Sequence, residues 1–304
     1  MTRRHHDRID LAAREYGGDG PPLVLLHGAG RTLADWSGVA PLLTGHHRVL
    51  AVDLRSHGLS PSGHWSFPAV IGDLEAVLDA YGMPGALPVG HSLGGMLAAR
   101  YAREHPDTTP GAVNLDGFGW GRPDQYVGAD PVQVTERLAQ LRELAQAAAV
   151  RVLPAGGLAD LLAEQRKTSD QLGIPYERLE ASARRAVRER PDGRLELRPE
   201  REHALEMLAA IDALDVFALF RAVRQPLLLG RALRPVPPIP GMDWFGGLMA
   251  AYSRGLARDL AELAAGRSTV TVAGIDGTHA MLLENPRAVA DAVLAFTTAL
   301  EPHR

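Results

Sequence analysis

Residues 90–95 read Gly-His-Ser-Leu-Gly-Gly. They lie between an apolar run containing Ala86, Leu87 and Val89 and an Ala/Leu-rich stretch from Leu93 to Glu104. A chain that turns from strand into helix over so few residues leaves cramped backbone at the corner. Glycine at Gly90 and Gly94, two residues either side of Ser92, removes the side chains that would clash there. The pattern G-x-S-x-G projects a serine hydroxyl from the corner. The same five residues also suit an ordinary glycine-rich turn with an incidental serine. The rest of the chain decides between these readings.

With 304 residues and 46% hydrophobic composition the chain can bury a large core, as one domain with an insertion or as two small ones. The formal charge is −4 and no block of like charge stands out, so nucleic acid and anionic membrane surfaces are poor partners. Cysteine is absent, which excludes disulfides, thiolate metal sites and a cysteine nucleophile. Residues 1–16 are charged without an apolar stretch and no segment reaches membrane-spanning length, so a cytoplasmic location is the expectation. The pairs His5-His6 and His46-His47 lack further ligands at metal spacing and read as solvated surface, so no metal is expected.

Leu23-Val24-Leu25-Leu26 ends at His27-Gly28 and reads as a strand buried on both faces. A helix is expected over residues 34–43, a strand over 48–54 and a helix over 69–81. The strand before Ser92, the helix after it and a strand at 112–115 follow. This alternation predicts an α/β fold with a mostly parallel, doubly wound sheet covered by helices. From about Trp120 to Arg224 the pattern becomes helical with no obvious strand, interrupted at Pro131, Pro154, Pro175 and Pro191. Strand character returns at 226–230 and 268–273, and a last helix is expected over 286–300. The predicted organisation is a core of residues 1–120 and 225–304 with an inserted helical cap over 121–224, too long for a structureless loop. Residues 234–241 form a proline-rich, extended loop.

Four segments now act together. They are His27-Gly28-Ala29-Gly30, Asp53-Leu54-Arg55-Ser56-His57-Gly58-Leu59-Ser60, the corner around Ser92, and Gly277-Thr278-His279-Ala280-Met281. In order and spacing the chain resembles the α/β-hydrolase fold family over nearly its whole length, most closely its capped esterase and haloperoxidase-like branch. The resemblance implies a cofactor-free enzyme with a catalytic triad and an oxyanion hole. Ser92 is the expected nucleophile and His279 the base that takes its proton. The oxyanion hole is expected from the backbone N–H groups of Ala29 and Leu93, the latter at a helix N-terminus where free N–H groups and the dipole favour an anion.

The acid departs from the family pattern, in which an Asp follows the penultimate strand. Here that strand ends Leu227-Leu228-Leu229-Gly230, and Leu233 stands at the expected position. Three readings compete. Asp116, ending the preceding strand before Gly117, is the substitute; Asp243 beyond the proline-rich loop takes the part; or no acid exists and the triad is degenerate. As a plain turn residue, Asp116 before Gly117 would also be at home. Pro88 inside the strand before Ser92 is a second departure, requiring either a carbonyl left to water or a local bulge.

Asp53, Arg55 and His57 read as scaffold, and Asp276 as a turn residue. Trp36 and Trp120 are candidates for the substrate-binding wall. The leading functional expectation is a serine hydrolase that cleaves a small, mostly apolar ester, lactone or thioester through an acyl-enzyme. A ligand-binding receptor or pseudo-enzyme on the same fold, and a carbon–carbon bond hydrolase, are the alternatives. Serine at the corner argues against dehalogenase or epoxide hydrolase chemistry, which in this family uses Asp there.

Overall fold

The computed structural model describes residues 8–149, 152–236, 239 and 241–300. His5-His6 and Pro237, Pro238 and Pro240 of the proline-rich loop lie outside them. In chain order the first strands are β1 (Ala13–Gly17), β2 (Pro22–Leu26) and β3 (Arg48–Val52), with a 3-10 turn (Leu33–Gly38) and the single-turn α1 (Ala40–Leu43) between the last two. Then come α2 (Phe67–Ala80), β4 (Leu87–His91), α3 (Leu93–Glu104) and β5 (Ala112–Leu115). The inserted segment holds α4 (Pro131–Ala148), β6 (Val152–Leu153), α5 (Leu158–Leu172), α6 (Tyr176–Arg185), β7 (Val187–Glu189), β8 (Leu195–Leu197), α7 (Arg201–Asp212) and α8 (Val216–Ala222). The chain closes with β9 (Leu227–Ala232), α9 (Phe245–Ala265), β10 (Val270–Ile275), α10 (Met281–Glu284) and α11 (Pro286–Leu300).

Seven strands form one sheet in the order β1-β3-β2-β4-β5-β9-β10, parallel except for β1, which pairs antiparallel with β3. Apolar side chains leave both faces. Along β2, Val24 and Leu26 join a cluster with α2, α3, α8 and α9, while Leu23 and Leu25 join one with α1, α10 and α11. The period of two along a strand thus feeds two helical layers from one run of hydrophobic residues. Helix α2 starts where Ser66 accepts a hydrogen bond from the Ala69 N–H with proline in the first turn, and buries Val70, Ile71, Leu74, Val77 and Leu78 on one side.

Several elements differ from expectation. The helix expected over 34–43 is a 3-10 turn and a single α-turn, broken at Gly38 and restarted by Pro41. Strand β1 and helix α9 carried no sequence signal strong enough to be read. In β1 the residues are half-buried or exposed, which hides the alternation of an edge strand. The inserted segment, expected to be helical throughout, also contains a three-stranded antiparallel sheet in the order β6-β8-β7. Its strands are two or three residues long and none is buried, too short and polar for a pattern to register. Pro88 needs no bulge on the β2 side: the register runs unshifted through Val24 opposite Pro88, and the ladder with β5 begins one residue later, at Val89.

The inserted segment is tied to the core by polar contacts. Arg185 on α6 meets Asp53 at 2.7 Å, Arg198 donates to the Gly58 and Ser60 carbonyls at 2.7 Å each, and the hydroxyls of Thr32 and Ser182 lie 3.2 Å apart. Among the described residues no helix is long and apolar enough to cross a membrane.

Candidate active site

Ser92 joins β4 to α3 with φ 53° and ψ −118°, a left-handed backbone that a residue with a side chain adopts at a cost of about 1–3 kcal/mol. The glycines around it are sterically required. A Cβ on Gly90 would come within 1.9 Å of the Gly94 carbonyl oxygen, and one on Gly94 within 2.1 Å of the Leu26 carbonyl oxygen. Ser92 stands at the N-cap position of α3, yet its side chain makes no capping bond. The hydroxyl is therefore not spent on the helix, and the Leu93 N–H that follows opens the helix N-terminus.

His279 lies beyond β10 in a loop whose Thr278 donates its N–H and hydroxyl to the Glu284 carboxylate, at 2.8 and 2.6 Å. Its Nδ1 is 2.7 Å from Asp116 Oδ2, and Asp116 Oδ1 accepts the Ala232 N–H at 3.0 Å. Burial alone would raise the Asp116 carboxyl, but the hydrogen bond and charge of His279 and the Ala232 N–H hold it below its ordinary value. An ionised carboxylate can only accept, so Nδ1 carries a proton, and in the neutral imidazole the lone pair is then on Nε2. Asp116 itself has φ 55°. That strained corner is stapled by Asn114, fully buried, whose side chain donates to the Gly117 carbonyl and accepts the Gly117 N–H, both at 2.8 Å. A Cβ on Gly117 would fall 2.2 Å from the Ser92 carbonyl oxygen, so glycine there lets the carboxylate's loop pack onto the serine's corner.

Of the other carboxylates considered, Asp243 is exposed near the start of α9, and Asp276 pairs with Arg234 at 3.2 Å. Leu233 extends the pairing with β10, its N–H donating to the Ile275 carbonyl at 3.0 Å.

Ala29 is exposed to the cavity in the loop after β2, and buried imidazoles shape that loop. His57 accepts the Gly30 N–H at Nε2 (3.1 Å) and donates from Nδ1 to the Arg55 carbonyl; His27 accepts the Leu54 N–H at Nε2 and donates from Nδ1 to the Gly28 carbonyl. Each ring is used as one donor and one acceptor, which only a neutral imidazole can be. Burial accordingly pushes His27 down to about 4 and His57 down to about 3. His91, directly before Ser92, donates from Nε2 to the His279 carbonyl at 2.8 Å and stacks obliquely on its ring, with centroids 4.7 Å apart. Burial, then the neighbouring His279, pushes it down to about 3. The Arg55–Asp73 pair at 2.7 Å lies within the scaffold.

Ser92, Ala29 and His279 line a cavity of about 660 Å³ whose remaining wall is largely apolar, with Ile174, Leu179, Ile239 and Leu282 among its side chains. Arg31 and Asp35 also face it, joined by two hydrogen bonds of 2.7 and 2.9 Å, so that cation is already answered. Trp36 is fully buried in the core and lines neither this cavity nor its neighbour. Trp120 is 43% exposed and lines a second, adjoining cavity. Sequence reasoning missed Asn114, His91 and the second cavity. Only Asn114 had a signal, the Asn-x-x-Gly spacing of a side chain that bridges its own turn.

A family model described as the alpha/beta hydrolase fold matches residues 21–157. The pimeloyl-[acyl-carrier protein] methyl ester esterase of Methylococcus capsulatus is 36% identical over 228 residues, 73% of this chain and 80% of that protein. Epoxide hydrolase B of Mycobacterium tuberculosis is 37% identical over 126 residues, 35% of each chain, so only about a third of its length is matched. Among solved structures, E-2-(acetamidomethylene)succinate hydrolase superposes with a TM-score of 0.69 over 96% of both chains at 20% identity, a likeness of fold.

Proposed function

The chain belongs to the α/β-hydrolase fold family, and from that premise we propose that it is a serine hydrolase of small, mostly apolar carboxylic esters. The observation that carries this reading is the 2.7 Å contact of His279 with Asp116 beside the cavity that holds an uncapped Ser92. With Nδ1–H held by Asp116, His279 Nε2 is the base for the Ser92 proton. The serine oxygen attacks the ester carbonyl, and the Ala29 and Leu93 N–H groups stabilise the oxyanion, assisted by the N-terminus of α3. His279 then gives its proton to the departing alkoxide. A water, deprotonated by the same nitrogen, attacks the acyl-enzyme and releases the acid, restoring Ser92. No step calls for a cofactor. The inserted segment serves as the cap: Ile174 and Leu179 come from it, so it shapes which acyl groups enter while the sheet's loops do the chemistry.

The name of the Methylococcus relative, a methyl ester esterase, agrees with this class of reaction. The epoxide hydrolase relative does not extend to this chain's chemistry, since Ser92 stands where that activity places Asp. The test is reaction with a fluorophosphonate, located by peptide mass spectrometry. Labelling is expected at Ser92 and lost in Ser92→Ala. Folded protein that resists both this probe and a smaller one would overturn the reading.

A further inference from the structure

The second cavity, about 350 Å³, shares His279 and Val236 with the first and has Asp116 in its wall. The same imidazole therefore borders both spaces. Arg231, on the last turn of β9 before Ala232, lines this second space. Its Nε is buried without a hydrogen-bond partner, and among the described residues its guanidinium makes no ion pair or side-chain hydrogen bond. The other arginines that line the two cavities are answered: Arg31 by Asp35, and Arg234 by Glu284 at 2.9 Å. Asp116, the acid in the wall, has Oδ2 engaged by His279 and Oδ1 by the Ala232 N–H. Arg231 is thus the group left to meet an incoming charge.

Burying part of a guanidinium without an acceptor is costly, and its planar fork of donors matches a carboxylate. The rest of the wall is mostly hydrophobic, including Trp120, Met249 and Leu256, and both Trp120 and Leu233 expose large apolar surface. The exposed Ser253 on α9 adds a hydroxyl. One unanswered cation at a greasy wall, bordered by the reacting histidine, is a receptacle for an alkyl chain that ends in a single negative charge. We propose that the second cavity binds a carboxylate carried by the substrate, so that the preferred ester is the half-ester of a dicarboxylic acid. This deepens the serine hydrolase reading and rests on it for the scissile bond, while the anion site stands on Arg231 alone.

The test compares monomethyl adipate with methyl hexanoate, which differ by the terminal carboxylate, in the wild type, Arg231→Met and Arg231→Lys. Wild type is expected to favour the half-ester. Arg231→Met should raise KM for monomethyl adipate at least tenfold, leave methyl hexanoate within twofold, and leave the rate of fluorophosphonate labelling at Ser92 within twofold; Arg231→Lys should recover part of the loss. Adipate, added without turnover, should raise the melting temperature of wild type but not of Arg231→Met. Equal losses on both esters, or no change on either, would overturn the proposal. Adipate binding that depends on Arg231 in a protein whose Ser92 does not label would instead overturn the hydrolase reading and leave the anion site standing.

Discussion

Replacing Asp116 by asparagine exchanges one carboxylate oxygen for an amide and changes little else. Asp116 accepts from two donors, the Ala232 N–H at 3.0 Å and His279 Nδ1 at 2.7 Å. Asparagine has one acceptor for these two. If its oxygen stays with Ala232, whose N–H is fixed at the end of β9, its NH2 faces Nδ1 and drives the imidazole proton to Nε2. No lone pair then faces Ser92. If the amide flips, its NH2 opposes the Ala232 N–H, and a buried donor left unmade costs about 1–3 kcal/mol. The flipped form also offers the imidazolium a neutral carbonyl in place of a carboxylate, a loss of about 1–2 kcal/mol more. The flipped form therefore costs about 2–5 kcal/mol of barrier in all, and the expected fall in kcat is about 30- to 5,000-fold.

Turnover of p-nitrophenyl butyrate at pH 7 reads this directly, with the melting temperature as the control for folding. Nitrogen chemical shifts of His279 supply an independent readout: the proton sits on Nδ1 in wild type and on Nε2 in Asp116→Asn. A loss below tenfold in a folded variant, with the proton still on Nδ1, refutes Asp116 as the acid, and Asp243→Asn becomes the substitution to make.

Asn114→Ala strips both partners from Gly117 in a fully buried corner, which predicts about 2–4 kcal/mol of lost stability together with lower kcat as Asp116 loses its register; equilibrium urea unfolding and ester turnover check the two parts. Acid should destabilise the fold before the carboxylates titrate. His27, His57 and His91 are held near 4, 3 and 3, below the ordinary value of 6.5, so the unfolded chain binds more protons and stability falls as pH drops below about 6.5. Each contributes a slope of about 1.4 kcal/mol per pH unit until its folded value is approached. Urea midpoints between pH 7 and 4.5 test this, and His57→Gln, whose amide can still accept from Gly30, should remove about one proton from that slope.

What the sequence could disclose follows from how locally each feature is determined. The corner at Ser92 is legible because its steric demand falls on Gly90 and Gly94, within two residues of the serine. The parallel core is legible because its strands are continuous apolar runs. Strand β1, half-exposed at the sheet edge, and the short strands of the inserted segment carry no such pattern, since what holds them is pairing with distant residues. The role of Trp36 could not be read at all. A tryptophan after the β2 loop suits core or pocket equally, and only packing assigns it to the core. Arg231 was silent for the same reason, because an unanswered charge is a statement about its surroundings.

The displaced carboxylate ties these threads together. The chain has Leu233 where its family resemblance calls for the acid, and there β9 simply keeps pairing with β10. Yet β9 has not left the site. Its Ala232 N–H orients Asp116, its Gly230 carbonyl accepts the Asp116 N–H at 2.7 Å, and its Arg231 faces the cavity beside them. A carboxylate at position 233 would stand two residues along from Arg231 at the same cavity and would answer that cation itself, whereas Asp116 in the same wall is held by His279 and the Ala232 N–H. Moving the acid across to β5 lets β9 contribute donors and a cation instead. The substitution that makes the triad look incomplete in the sequence is, on this argument, what leaves room for a charged substrate behind the histidine. Restoring the acid by Leu233→Asp in an Asp116→Asn background tests the trade: any recovered turnover should favour methyl hexanoate over monomethyl adipate, and recovery with the half-ester preference intact would show that the two features are independent.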